Sequence, residues 1–465
     1  MPSIRPAEGV IIDGFRLERR IHNGPMSSLW LVSRDGDPTP MVMKLPSLAE
    51  GEDVSAIVGF EVERMILPRL TGAHVPRFVA AADLSRTPYL VMEKVEGQNL
   101  AEIADAAPLP PERVAELGAR IARGLQELHR QRVLHLDLKP ANIMIGPGGD
   151  AVFLDFGLSR HDELPDLLGE ESDVPMGTGA YIAPEQIEGD RTEPRSDVFA
   201  LGVILYELVT GRLPFGNPQR KAGMKRRLWK DPTPPRKLNP ACPDWLQEIV
   251  LRCLEVDPYQ RYATPAQVAF ALQHPDQVTV TERGKRWRAD GPLTVLRRWL
   301  RSGNPRWERK PPISEQVVGA PIVMAAVDLG NGVDALGELL RIHARRALDV
   351  DPQSRLACVT ILKTALLQVE SGVDAQGNNL YVQRLIALKD WARPIGLDDE
   401  RVSVHVLEAV DAAAALIEYA RKNQVDHIVM GARANSALRR YLGSVSAQVV
   451  AEAPCTVTVV RLAQP

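Results

Sequence analysis

The chain predicts two unlike folds in tandem, an α+β region of about 265 residues and an α/β doubly wound, five-stranded parallel sheet of about 150, joined by a basic segment. Three observations carry this expectation. The length, 465 residues, exceeds one domain. In the first part, two polar motifs, His135-Leu-Asp-Leu-Lys-Pro-Ala-Asn142 and Asp155-Phe-Gly157, stand thirteen residues apart and are flanked by strand-like and helix-like apolar runs. After Pro321 the pattern becomes an alternation of apolar strand runs and helical stretches.

The two motifs place two carboxylates and an amide at the spacing that phosphoryl transfer needs, and they resemble the catalytic core of a protein kinase. The resemblance implies roles. Asp137 would accept the hydrogen bond of a substrate hydroxyl, Asn142 and Asp155 would hold Mg²⁺, and Lys139 would sit against the transferred phosphate of ATP. Upstream, Met41-Val-Met-Lys44 ends a strand-like run, and Phe60-Glu-Val-Glu63 opens a helical pattern continuing through Ile66, Leu67 and Leu70. By alignment Lys44 pairs with Glu63, with Glu61 the rival for that place. Tyr89 to Gly97 reads as a buried strand entering a hinge between two lobes; there Met92 would line the adenine pocket, and the backbone of Glu93 and Val95 would bond the base.

Downstream, Gly177-Thr178 and Tyr181-Ile-Ala-Pro-Glu185 match the end of an activation segment, and Ser196-Asp197 through Gly202 match the start of the large lobe's central helix. Arg261 would pair with Glu185. Lys139 and Thr178 favour Ser/Thr over Tyr as the acceptor. The resemblance covers residues 11–275 and is strongest to bacterial kinases of the eukaryotic type, so protein substrates are expected.

Two departures qualify it. Where a G-x-G-x-x-G loop would let backbone approach phosphates, the chain reads His22-Asn-Gly24-Pro-Met-Ser27, keeping only Gly24, with Pro25 fixing one φ. A pseudokinase scaffold that binds adenine nucleotide without transfer is the alternative reading. Leu136 replaces the arginine that usually precedes the catalytic aspartate and grips a phosphorylated loop. Phosphorylation of Ser159 or Ser172 would then lack its receiver, and the activation segment is expected to be held by other contacts.

Composition agrees with a globular protein: 25% charged, 45% hydrophobic, net charge −3, which gives no electrostatic reason to expect nucleic acid. Cys242, Cys253, Cys358 and Cys455 show no C-x-x-C pairing, as suits structural thiols in a reducing compartment. No run approaches a membrane span and Met1-Pro-Ser-Ile-Arg5 lacks a signal-peptide core, so the expected location is the cytosol.

Between the folds, taken as 276–316, residues 281–310 hold ten Lys or Arg against three Asp or Glu, with Trp287, Trp299 and Trp307. Leu293, Val295, Leu296, Trp299 and Leu300, interleaved with arginines, predict a short basic amphipathic helix. It could lie on an anionic membrane surface, but docking of its apolar side onto a domain is the favoured expectation.

In residues 317–463, Ile322 to Val327, Leu356 to Leu362, Val402 to Leu407, His427 to Met430 and Thr456 to Val460 read as parallel strands, with helices over Val333 to Leu348 and Asp411 to Lys422 and Asp411 as N-cap. The runs Val429-Met-Gly431-Ala-Arg433, Tyr441-Leu-Gly443-Ser444 and Ala453 to Val460 are similar to the universal stress protein family. That resemblance implies a phosphate cradle of Gly431, Arg433, Gly443 and Ser444 with Asp328 beside a nucleoside, and a homodimer through Thr456 to Val460. Ala434 stands where the nucleotide-binding members have a middle glycine.

Overall fold

The computed structural model describes residues 6–24, 26–47, 54–171, 175–288, 291, 295–296, 299–300, 321–329, 335–364, 379–432 and 444–462. Its N-terminal lobe is a six-stranded antiparallel sheet of β1 (Ile11–Ile12), β2 (Phe15–Asn23), β3 (Ser27–Arg34), β4 (Asp37–Pro46), β5 (Phe78–Ala82) and β6 (Tyr89–Glu93), in the order β1-β2-β3-β4-β6-β5. Strand period decides which face each residue serves. Leu17, Trp30, Val32, Met41, Met43, Leu45 and Val91 close one apolar layer. Lys44 and Met92, at the alternate positions, therefore point to the other face, where α1 (Val54–Ile66) packs with Ile57, Phe60 and Ile66 buried.

The second lobe is mainly helical. In α2 (Pro111–Arg130), proline starts the helix and Val114, Leu117, Ile121, Leu125 and Leu128 repeat at helical spacing and are buried. It crosses α4 (Arg195–Thr210) closely: a Cβ on Gly118 would come 2.4 Å from Leu205 Cδ2. Between them in the chain, α3 (Leu167–Glu171) is a single turn within the activation segment. Helix α4 is buried along nearly its whole length and stops at Gly211, whose φ of 67° needs no Cβ. Helix α5 (Asp244–Cys253) completes this core.

The basic segment splits in two. Its first residues dock on α5: Glu248 accepts from Thr281 N, Gly284 N and Arg283 Nη1, Gln247 donates to the carbonyls of Arg283, Gly284 and Arg286, and Arg236 lies 4.7 Å over the Trp287 ring. The expectation that the apolar side of the amphipathic stretch docks is not met in the described part, since Leu296, Trp299 and Leu300 are 50%, 52% and 69% exposed. Docking comes instead from polar side chains of α5 that bond the backbone of residues 281–286. Leu293 and Trp307 lie outside the described residues.

The C-terminal fold is a parallel five-stranded sheet of β7 (Ile322–Ala326), β8 (Arg355–Lys363), β9 (Val402–Ala409), β10 (His427–Gly431) and β11 (Thr456–Val460), ordered β9-β8-β7-β10-β11. Helices α6 (Ala335–Leu348) and α7 (Leu380–Ala392) cover one face, and α8 (Ala412–Lys422) and α9 (Ser444–Glu452) the other. Asp411 caps α8 as expected, accepting from Ala413 N and Ala414 N at 2.9 and 3.1 Å. Tyr381, Val382, Leu385 and Val406 of this fold belong to the same apolar cluster as the core of the preceding lobes. Among the described residues no helix is long and apolar enough to cross a membrane.

Candidate active site

The short hairpin Ile143–Ile145 and Ala151–Phe153 positions two of the predicted residues, because Ile143 pairs with Phe153 and Leu154 N donates to Asn142 O at 2.8 Å. Asn142 thus enters the hairpin where Asp155 leaves it. Asp155 sits at φ 62° and Leu136 at φ 61°, left-handed conformations that cost a side-chain-bearing residue energy and recur at functional sites. The loop before the hairpin is held from below by buried Asp197, whose two oxygens accept from His135 N and Leu136 N, both at 2.9 Å, and which His129 meets at 2.8 Å.

Asp137 is 7% exposed and its two oxygens are fully engaged. Oδ1 accepts from Thr178 N and Thr178 Oγ1, both at 2.8 Å, and Oδ2 from Lys139 Nζ at 2.8 Å and Asn142 Nδ2 at 3.3 Å. Lys139 also donates to Thr178 Oγ1 at 3.0 Å. The first motif and the Gly177-Thr178 loop therefore meet around one carboxylate.

Across the cleft, Lys44 Nζ lies 2.6 Å from Glu63 Oε2 and 2.8 Å from Asp155 Oδ1, and Phe156 N donates to Glu63 Oε1. Burial alone would lower the Lys44 pKa; Asp155 first and then Glu63 reverse this and hold it above the ordinary lysine value. The Lys44 ammonium pulls the Asp155 carboxyl down to about 2, against the desolvation of the cleft. Glu61, two residues from Glu63 and so on another side of α1, turns away to Arg64 and Lys389.

Asp155, whose side chain is 46% exposed, and Asn142 present hard oxygen donors of the kind Mg²⁺ takes, with few protein ligands and the remainder left to phosphate and water. The residues fit that ion. At the hinge, the Glu93 and Lys94 amides are committed to Arg77 O and Pro40 O at 2.9 and 2.8 Å, and no hydrogen bond within the described residues occupies the Val95 N–H. Met92 packs against the core behind them. Gly24 closes a tight turn, its N–H donating to Ser27 O at 3.0 Å; a Cβ there would meet His22 Nε2 at 3.0 Å. Pro25 lies outside the described residues.

Arg261 and Glu185 are both 0% exposed and bidentate, at 2.6 and 2.8 Å. Ser159, considered as a phosphorylation site, is 2% exposed and donates to His135 O; Ser172 lies outside the described residues. The segment between is instead fastened by Arg191 to Asp166 at 3.0 Å and by Glu170, which reaches the C-terminal fold.

In that fold the direction of the sheet's winding reverses between β7 and β10, and Asp328 and Gly431 lie at the carboxyl ends of these two strands, which are in register from Val323 opposite His427 to Ala326 opposite Met430. A Cβ on Gly431 would come 3.0 Å from Leu336 Cδ2. Ser444 opens α9 and is exposed; Arg433, Ala434 and Gly443 lie outside the described residues.

The family model described as Protein kinase domain matches residues 15–275, and that of the Universal stress protein family matches residues 322–461. A probable serine/threonine-protein kinase of Corynebacterium efficiens is 30% identical over 62% of this chain and 45% of its own length. The serine/threonine-protein kinase PknL of Mycobacterium tuberculosis strain H37Rv is 30% identical over 58% of this chain and 67% of its own. The crystal structure of the Mycobacterium tuberculosis PknI kinase domain is similar over 59% of this chain and all of that one, with TM-score 0.47 and 22% identity. The chain spans less than half the length of the first curated relatives. With its kinase motifs gathered around one cleft and a second family matched behind them, the chain belongs to the protein kinases, as a bacterial kinase of the eukaryotic type fused to a universal stress protein domain.

Proposed function

We propose that the chain is an ATP- and Mg²⁺-dependent serine/threonine protein kinase, with residues 11–275 as the catalytic domain, 276–316 as linker and 317–463 as a regulatory, nucleotide-sensing or docking domain. The observation that carries it is two sets of contacts, Lys44 with Glu63 and Asp155, and Asp137 with Lys139, Asn142 and Thr178, tied to each other through the hairpin that Asn142 enters and Asp155 leaves. A pseudokinase would have no need to keep all of them in mutual register.

In this reading Gly24 lets backbone near the phosphates, Lys44 holds them under the tension of Glu63, and Met92, Glu93 and Val95 take the adenine. Asn142 and Asp155 would hold Mg²⁺, which would neutralise phosphate charge. Asp137 orients the acceptor hydroxyl for in-line attack and Lys139 steadies the transferred group. Because the Asp137 oxygens are already engaged, an incoming hydroxyl takes the place of a present donor, and the Thr178 hydroxyl, free to rotate, is the one that can yield. The Lys139–Thr178 contact supports Ser/Thr as acceptor.

For the C-terminal domain, Asp328 and Gly431 beside the sheet's reversal point support an adenine-nucleotide crevice, to which the family resemblance assigns Arg433, Gly443 and Ser444. Strand β11, an edge of the sheet, suits a homodimer. The test is incubation of the purified chain with labelled ATP, Mg²⁺ and a protein acceptor: transfer that disappears in Asp137→Asn supports the kinase, and nucleotide binding without transfer supports the scaffold.

A further inference from the structure

The two elements that must be placed for transfer are α1, which carries Glu63, and the activation segment, which carries Thr178. Both are gripped by the C-terminal domain. Glu170 of α3 is 6% exposed, and the groups that neutralise it come from the C-terminal domain: Arg355 Nη1 at 2.6 Å on Oε1, His405 Nε2 at 2.8 Å and Tyr419 Oη at 3.1 Å on Oε2. Asn423 Nδ2 adds a bond to Glu170 O at 3.3 Å. Beside it Tyr381 donates to Glu171, and the α3 side chains Leu167 and Leu168 are buried. Burial would raise the Glu170 pKa, but the His405 bond and Arg355 bring it down to about 2, so it is a carboxylate.

On α1, Lys389 of α7 pairs with Glu61 Oε2 at 2.5 Å. At helical spacing Glu61 and Glu63 point to different sides, so one helix is held at once by Lys389 outside and Lys44 inside. Beside the Glu61–Lys389 tie lies a cavity of about 200 Å³ lined by Val58, Met65, Leu167, Leu385 and Val404, so the apolar contact between the domains is interrupted there and the polar ties add to it.

With these ties made, the Lys44–Glu63 pair is closed and Phe156 N bonds Glu63. Leu136 offers no cation to a phosphorylated loop and Ser159 is sealed, and the activation segment is tied instead through the carboxylate of Glu170. We propose that Arg355, His405, Tyr419 and Lys389 are positioning residues for phosphoryl transfer, through which the C-terminal domain holds α3 and α1 in the active arrangement as a built-in activator. This rests on the kinase reading of the cleft.

The test uses the full chain, comparing wild type with Arg355→Met, Lys389→Met, the double variant, and Arg355→Lys as the conservative control. Steady-state transfer to a protein acceptor gives kcat and KM, and hydrogen exchange reports protection of α1 and α3. The coupling expected between two packed elements is about 5–150-fold. It should appear in kcat, with KM for ATP little changed, lost protection in α1 and α3, and partial recovery in Arg355→Lys. Wild-type kcat in the double variant, despite lost protection, overturns the proposal while leaving the kinase reading intact. A rise in kcat also overturns it, making the domain a brake. Absence of transfer in wild type removes the kinase reading and the proposal with it.

Discussion

Replacing Arg261 by methionine should be among the most damaging single changes in the chain, and the structure sets the size of the effect. All five of its N–H groups are used: two bond Glu185 at 2.6 and 2.8 Å, and the others reach the carbonyls of Glu255, Arg195 and Val256 at 2.8, 2.8 and 3.1 Å. Methionine would fill most of the volume but leave the Glu185 side chain, 0% exposed, with only the Ser196 hydroxyl at 2.7 Å for support among the described residues. Removing one partner of a buried pair costs about 3–5 kcal/mol. At roughly 2–4 °C per kcal/mol for a unit of this size, the melting temperature should fall by about 6–20 °C. Arg261→Lys, which keeps the charge but can make at most three bonds, should fall between, and Glu185→Leu with Arg261→Met should recover part of the loss by removing the stranded charge. Thermal unfolding of the purified chain followed by near-UV circular dichroism measures all three. A drop below about 3 °C for Arg261→Met would refute the reasoning, because it would mean that Glu185 finds water or a proton at little cost.

Asp137→Asn should lower transfer by about 10²–10⁴ while nucleotide still binds, whereas Asp155→Asn should also weaken MgATP binding; retention of more than about a tenth of the rate in both would place the catalytic centre elsewhere. Ser159→Ala should leave kcat within about twofold, since the hydroxyl is sealed against His135 O and gives up only a hydrogen bond of about 1 kcal/mol; recovery of a lost rate by Ser159→Asp would contradict this. Calorimetry on the full chain should find two adenine-nucleotide sites in wild type and one in Gly443→Val, and a single site in both would leave the C-terminal crevice without a nucleotide role. Because the folded-state pKa of Glu170 is depressed from 4.5 to about 2, its contribution is present above the higher value and lost as pH falls through the lower. The stability advantage of wild type over Glu170→Gln should therefore be complete near pH 6 and shrink below about 4.5; an advantage that grows on acidification would reverse the assignment.

The cleft was legible in the sequence because its chemistry is concentrated in short motifs. Asp137, Lys139 and Asn142 share one loop, Asp155 follows the hairpin that Asn142 enters, and the choice of Glu63 over Glu61 came by alignment with the family the motifs resemble. The parallel sheet was equally readable, since strands buried on both faces leave unbroken apolar runs such as Leu356 to Val359. Local caps such as Asp411 act within three residues and need no tertiary information.

Sequence thus indicated the two folds and their order through repeating periods and the reactive residues through short motifs, while the pairing of residues as distant as Glu185 and Arg261, 76 apart, came from the resemblance those motifs carry. Only the tertiary structure decided how the folds are joined. Glu170 and its partners Arg355, His405 and Tyr419 are separated by 185, 235 and 249 residues, and Glu61 and Lys389 by 328. None of these residues carries a local pattern that marks a partner, and a glutamate in a loop reads as a solvated charge until a second surface removes its water. The physical reason is that an ion pair is made by proximity in space and by the exclusion of solvent, and neither has a period or a spacing in the chain.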